Sequence, residues 1–436
     1  MKVRVFQSGK GDCLLLSSKA GHRVLVDGGM PDAYAIHVAP ALADLAADGK
    51  QLDIVYVSHI DEDHIGGVLR LFDDTVAWRV FDYQRANGNV TYPEPVRGRP
   101  PTVAKVWHNA FAEQVGKNAG PIGDLLAQSA ATLSGASEAE LQAVAGDHRD
   151  LATSVNQSIR LSRRLDPEQL GIPTNPEFGG KLAFVRTPTQ SVTLGAMHMT
   201  VIGPFEADLD RLRKDWNAWL KDNKKALKEI SDDARRAAQD MGLSELDRVI
   251  FPLLEQAKKL GERSLVTAPN LASLMFLVEE GKTRILLTGD GHGDDIVKGL
   301  RACGALPANG GGLHVRLLKV QHHGSEHNIT PAFCRTITAD DYLFCGNGEH
   351  ENPDLDVVRA IVMSRIGTGA DLSPNPEAGD AFRLWFNSSS QVTERQAAIA
   401  HMQALETLVA GLVAQSAGRM TAQFLQNGSS FDLPVG

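Results

Sequence analysis

The chain has 436 residues, 43% apolar and 22% charged, with 44 Lys+Arg against 53 Asp+Glu and a formal net charge of −9. That balance is globular and excludes a disordered, collagen-like or fibrous chain, and the length leaves room for more than one average domain. A net negative surface does not hold polyanions by bulk attraction, so any nucleic-acid contact needs a local basic cleft or metal ions.

The N-terminal MKVRVFQSGKGD lacks the apolar core of a secretion signal. No uninterrupted apolar stretch reaches the roughly 20 residues of a bilayer span, so no membrane association is expected. Cys13, Cys303, Cys334 and Cys345 form no C-x-x-C pair. A cytoplasmic protein without a disulfide framework is the expectation.

In chain order, Val3 and Val5 alternate with Lys2 and Arg4, and Cys13–Leu16 follows a G-K-G-D turn. Val24–Val26 runs into Asp27-Gly28-Gly29, and a helical stretch covers about Ala41 to Ala47. The β-branched run Leu52–Val57 suits a buried strand and ends in the loop Ser58-His59-Ile60-Asp61-Glu62-Asp63-His64. These residues form the first half of the fold, 1–91. Residues 92–263 change texture: a Pro/Arg-rich loop, alanine-rich sequence, and Leu209, Leu212, Trp216 and Leu220 at helical spacing. They read as a mainly helical insertion or cap. Strand texture returns over 264–390, in Ser273–Val278, Arg284–Leu287, Val315–Val320 and Asp341–Cys345. Residues 391–436 hold an alanine-rich amphipathic helix, about Glu394 to Gln415, and a final strand from Met420 to Leu425.

Several of these strands end, at their carboxyl side, in Asp, His or Gly. In α/β sheets that rim is where loops converge and ligands sit. His59, Asp61, Asp63 and His64 offer two imidazoles and two carboxylates, both good ligands for divalent cations. Asp290 closes a T-G-D strand end, and His322 and His323 precede Gly324-Ser325. Each cluster alone also fits an ordinary turn or cap. Together they share one position relative to their strands, which favours a single site.

The order D-G-G, H-x-D-x-D-H-I-G-G, L-L-T-G-D, H-H-G-S resembles the metallo-β-lactamase fold superfamily, in particular the nuclease domain of ComEC-type competence (DNA-uptake) proteins. The resemblance covers about Met1 to Leu71 and Leu265 to Pro353. It implies an α/β fold, an αββα sandwich with a two-metal site at one edge of two facing sheets, interrupted here by the large helical insertion. By that resemblance His59 and Asp61 serve the first metal, Asp63 and His64 the second, Asp290 bridges them and His322 completes the second site. The usual third-motif His has no counterpart; Asn270, in A-P-N-L-A-S, stands in the comparable place as a weaker ligand. Asp27 either braces the motif loop or simply forms the D-G-G turn.

The implied activity is that of a metal-dependent hydrolase, first of all a phosphodiesterase or nuclease acting on nucleic acid or a nucleotide. Its nucleophile is hydroxide bridging two divalent ions, oriented by Asp63 or Asp290. Asp61 and Asn270 make the first site oxygen-rich, so Mn²⁺ competes with Zn²⁺ as the bound ion. His323 is the candidate for protonating the leaving oxygen or holding a phosphate oxygen. Ser325, Asn347 and His350 are candidates for the substrate side, and Lys319 either assists or is a strand-edge lysine. Arg97, Arg99, Arg160, Arg163 and Arg164 either wall a phosphate site or lie on solvated faces. His37, His108 and the other histidines read as ordinary surface or core residues. The alternatives are hydrolysis of another ester (lactone, thioester or phosphocholine ester) and a regulatory module that holds metal without activity. Oligomeric state is open.

Overall fold

A computed structural model describes residues 1–109, 157–207, 209–210 and 273–435. The first strands are β1 (Lys2–Phe6), β2 (Leu14–Ser17), β3 (Arg23–Val26) and β4 (Ile54–Val57), with helix α1 (Ala39–Ala47) before β4 and α2 (Glu62–Ala86) after it. Then come β5 (Val106–His108), β6 (Ser191–Leu194), β7 (Met197–Gly203), β8 (Met275–Glu280), β9 (Thr283–Leu287), α3 (Gly293–Ala302) and β10 (Leu313–Lys319). The chain closes with α4 (Pro331–Thr336), β11 (Ile337–Phe344), α5 (Leu355–Ile366), β12 (Phe382–Phe386), α6 (Gln396–Gln415), β13 (Met420–Phe424) and β14 (Ser430–Leu433).

Two mixed sheets form. One has six strands in the order β14-β1-β2-β3-β4-β5, the other eight in the order β13-β12-β11-β10-β9-β8-β7-β6. Within the first, β3, β4 and β5 run parallel; within the second, β9 through β13 do. Parallel strands need both faces covered, and their sequences say how. In β4, Ile54 and Tyr56 point into the core between the sheets, while Val55 and Val57 point outward under α1 and α2. The inter-sheet core joins Val3, Val5, Leu14 and Val24 to Phe276, Val278, Ile285 and Leu317. A second apolar layer covers the outer face of the larger sheet with Ile296, Phe333, Val358, Ile361 and Met402 from α3 to α6. Helix, sheet, sheet, helix is the αββα arrangement that the resemblance implied.

Residues 92–263 are less separate than the sequence texture suggests. Their described parts contribute β5 to the smaller sheet and β6 and β7 to the larger. Trp107, Met199 and Val201 are buried in the core between the sheets, and Val106 in the apolar layer on the outer face of the smaller sheet, because strands beside β4 and β8 need apolar cover. Residues 110–156 and 211–263, with Leu212, Trp216 and Leu220, lie outside the described residues.

One expectation about the tail changes. Among the described residues, α6 is by length and composition long and apolar enough to cross a membrane, with a mean hydropathy of 1.4. The alanines that make its texture bland also raise its hydropathy. Its Ala398, Met402, Leu405 and Val409 are buried on the protein's own core.

Candidate metal centre

The carboxyl ends of β3, β4, β9 and β10 meet at one rim. They deliver, in turn, Asp27, Ser58-His59, Thr288-Gly289-Asp290 and Val320–His323, and the β1–β2 connection brings Asp12 alongside. The H-x-D-x-D-H segment is not all loop: Asp61 caps α2, and Asp63 and His64 lie in its first turn. Acidic residues are favoured there by the helix dipole. Glycines let this turn approach its supports. A Cβ on Gly11 would stand 1.7 Å from the Asp63 carbonyl oxygen, and one on Gly67 2.0 Å from that of Gly28. The Gly28 amide donates to the His64 carbonyl at 2.8 Å, and that of Gly67 to Gly29 at 2.9 Å.

Asp27, fully buried, accepts from the Ser58 amide and hydroxyl at 2.7 Å each and from His64 Nδ1 at 3.0 Å. Since the Ser58 hydroxyl spends its proton on Asp27, its oxygen accepts from His59 Nδ1 at 3.0 Å. His323 Nδ1 donates to the Cys345 carbonyl at 2.6 Å. His322 Nδ1 donates to Asn328 Oδ1 at 2.5 Å, an amide oriented by its own Nδ2 donating to the Asp290 carbonyl at 2.9 Å.

With every Nδ1 proton committed, what each ring offers the rim is its Nε2 lone pair. Those of His323, His59 and His322 lie 3.3, 3.6 and 3.8 Å from Asp290 Oδ2, and that of His64 lies 3.5 Å from Oδ1. Asp63 Oδ2 is 3.1 Å from His323 Nε2, and Asp61 Oδ2 is 3.4 Å from His59 Nε2. Among the described residues, His59 Nε2 and Asp290 Oδ1 are buried with no hydrogen-bond partner. Lone pairs and carboxylates packed this closely repel unless a proton or a metal cation sits among them. Imidazole nitrogen with carboxylate oxygen is a donor set for divalent ions, and His59, His64 and Asp290 group tightly enough to hold one.

The local field says the same. Burial disfavours an imidazolium at His64 and His323. The surrounding carboxylates, Asp290 foremost, outweigh that and hold both pKa values well above the ordinary one. Burial likewise opposes ionisation of Asp63 and Asp290, yet the facing histidines keep both carboxyls below the usual range. The pocket rewards positive charge.

Of the expected residues, His59, Asp61, Asp63, His64, Asp290, His322 and His323 come together. His322 and His323 occupy different depths: both have positive φ, 47° and 54°, and this strained pair of left-handed residues sends the buried His323 ring toward Asp63 while His322 stays a quarter exposed. Asn270 lies outside the described residues. Ser325 is buried in the turn after His323. Asn347 bonds within its own loop, to Glu349, and His350 is exposed with a φ of 55°. Among the arginines, Arg97 pairs with Asp74, Arg99 with Asp82, and Arg160 and Arg164 with Asp73.

Lys319 is not a strand-edge lysine: β10 lies inside the sheet, and its side chain is buried against Asp12. Asp12, Ser58 and Asn328 were not singled out by sequence. The G-K-G-D turn carried Asp12 in plain sight, but nothing local to it signals a distant lysine.

A four-layer α/β sandwich with imidazoles and carboxylates gathered at one rim is consistent with the metallo-β-lactamase fold. A sequence model of the metallo-β-lactamase superfamily matches residues 8–106. That span runs from the β1–β2 connection into β5 and holds Asp12, Asp27 and the whole H-x-D-x-D-H segment. No curated protein matches the chain.

Proposed function

We propose that this protein is a metal-dependent phosphodiesterase or nuclease. The observation that supports it most is the convergence of four Nε2 lone pairs and three carboxylates on and around Asp290. His59, Asp61 and Asp290 would hold one divalent cation, and Asp63, His64, Asp290 and His323 a second. In this reading His323 takes the ligand place that the sequence resemblance gave to His322, because its Nε2 faces Asp63 and its only other nitrogen is bonded to Cys345. His322, at the mouth, is then the imidazole nearest an incoming substrate.

Charge supports a pair of ions. Once metal binding displaces the protons of His64 and His323, Asp12, Asp27, Asp61, Asp63 and Asp290 face, among the described residues, the single buried cation Lys319, an excess of negative charge that two dications match. Three carboxylate ligands favour harder ions, so Mn²⁺ stands beside Zn²⁺ as the ion used. When bound, such ions polarise a phosphoryl oxygen and make water a competent nucleophile near neutral pH.

The protein's own groups do the rest. Asp27 and Ser58 fix the His59 and His64 rings. Asp63 and Asp290 would orient an attacking water by accepting a hydrogen bond from it. The exposed His350 remains the candidate donor to a phosphate oxygen, Asn347 shapes the loop that carries it, and Ser325, buried behind His323, supports that turn. Four of the five arginines that could have walled a phosphate site, Arg97, Arg99, Arg160 and Arg164, pair with Asp73, Asp74 and Asp82, so substrate charge is met mainly at the cluster itself.

The test is turnover of bis(p-nitrophenyl) phosphate, DNA, RNA and a lactone side by side, with Mn²⁺ and with Zn²⁺. Asp63→Ala should lower phosphodiester turnover by about a thousandfold or more, while His37→Ala, whose ring bonds Ser429, stays near wild type. Lactone turnover alone would replace this reading with the other ester hydrolase. Equal behaviour of the two variants would overturn the site.

A further inference from the structure

Beneath the rim, Asp12, His64 and His323 bring donor atoms close enough together to suggest another cation position. The protein already supplies that cation. Lys319, 1% exposed, pairs with Asp12 Oδ2 and donates to the Gly289 carbonyl at 3.0 Å. The histidine atoms facing Asp12 are the Nδ1 atoms, at 3.8 Å for His64 and 3.5 Å for His323. Both are proton donors, to Asp27 and to the Cys345 carbonyl, so neither offers a lone pair there.

The ammonium creates a conflict. It lies 3.7 Å from Asp290 Oδ1, the oxygen that has no hydrogen-bond partner and that His64 Nε2 also faces. A buried positive charge at that distance competes with a dication for the carboxylate, since Coulomb interactions are strong where water is excluded. Asp12 stands nearer to the ammonium than Asp290 does.

We propose that Asp12 is a positioning residue that neutralises Lys319 and, as its nearer carboxylate, keeps its charge from Asp290, leaving Asp290 free for the metal ions. The inference rests on the metal reading above. It assigns Asp12, in the smaller sheet's first connection, and Lys319, in the larger sheet, to one device spanning both sheets.

The experiment is calorimetric titration of Mn²⁺ into wild type, Asp12→Asn and the double variant Asp12→Asn/Lys319→Met, with urea unfolding of each metal-free protein. Asp12→Asn leaves Lys319 uncompensated, so Mn²⁺ affinity should fall by about tenfold or more. Removing the ammonium as well should restore it to within about threefold of wild type, whatever the change in urea midpoint. A merely structural role predicts the reverse order, the double variant being the more damaged.

Folding of the double variant when Asp12→Asn alone fails to fold would support the proposal. Wild-type affinity in Asp12→Asn, or a double variant that binds no better than the single, overturns it. So does a double variant that does not fold, because no unpaired charge remains there to blame. Absence of Mn²⁺ uptake by wild type would instead take down the metal reading and this inference with it.

Discussion

Asp27 makes the clearest case for how single side chains act here. Its two oxygens accept from Ser58 twice and from His64 once, so one buried carboxylate sets the tautomer of His64 directly and that of His59 through the serine. Outer partners of this kind orient metal-binding imidazoles and raise their basicity. Asp27→Asn keeps the shape but can present a donor where an acceptor is needed. Metal affinity should fall by about 10–100-fold, read by competition with a chromogenic chelator, with little change in helix content by circular dichroism. Unchanged affinity would mean the tautomers are set otherwise. The D-G-G turn alone left Asp27's two roles open; only the fold puts its carboxylate under Ser58.

His108 belongs to the same scale but to stability. It ends β5, 1% exposed, with no partner for Nδ1 among the described residues, and burial lowers its pKa to about 4. The unfolded chain takes up a proton near the ordinary 6.5, which the folded chain resists until about 4. Fold stability must therefore drop as pH falls through 6.5, the loss levelling off near 4. Urea midpoints between pH 7.5 and 4.5 should decline less steeply in His108→Gln than in wild type. Parallel profiles would contradict the assignment.

At the scale of elements, close packing of the β3 turn on the first turn of α2 decides whether the ligands meet. Gly28 and Gly67 approach so closely that a Cβ on Gly28 would lie 2.2 Å from the Val68 nitrogen. Gly28→Ala must push α2 away, at a cost of about 1–3 kcal/mol, and carries Asp63 and His64 with it. Both melting temperature and metal affinity should fall together, whereas Gly49→Ala, where a Cβ meets nothing within 4 Å, should leave metal affinity unchanged. Retained affinity in Gly28→Ala would show that the ligands do not depend on this contact.

The strands carrying the motifs were legible because apolar runs such as Leu52–Val57 and Arg284–Leu287 end abruptly in polar residues. The helical start at Glu62 was not, because its first turn is built from the same charged residues that read as a loop. Lys319 was misread for a related reason: a lysine at a strand end looks solvated unless its partner, Asp12, is known to fold back over 300 residues.

Over the whole molecule, the sandwich and its layers follow the resemblance, while the partition of the chain does not follow texture alone. β5 to β7 come from the stretch that read as a cap, and pairing with β4 and β8 is a tertiary fact that local composition does not carry. The tail closes both sheets, β13 beside β12 and β14 beside β1, although only β13 had a strand-like signature. The segment Ser430–Leu433 is too short and too mixed to be read without its neighbour.

All of this converges on the claim that the rim holds a pair of divalent ions. The most direct measurement is elemental analysis of the protein reloaded with Mn²⁺ or Zn²⁺ and freed of excess ion, beside Asp290→Ala. The prediction is about two ions per wild-type chain and at most about one in the variant, which lacks the shared carboxylate. Wild-type protein that retains neither ion would contradict it.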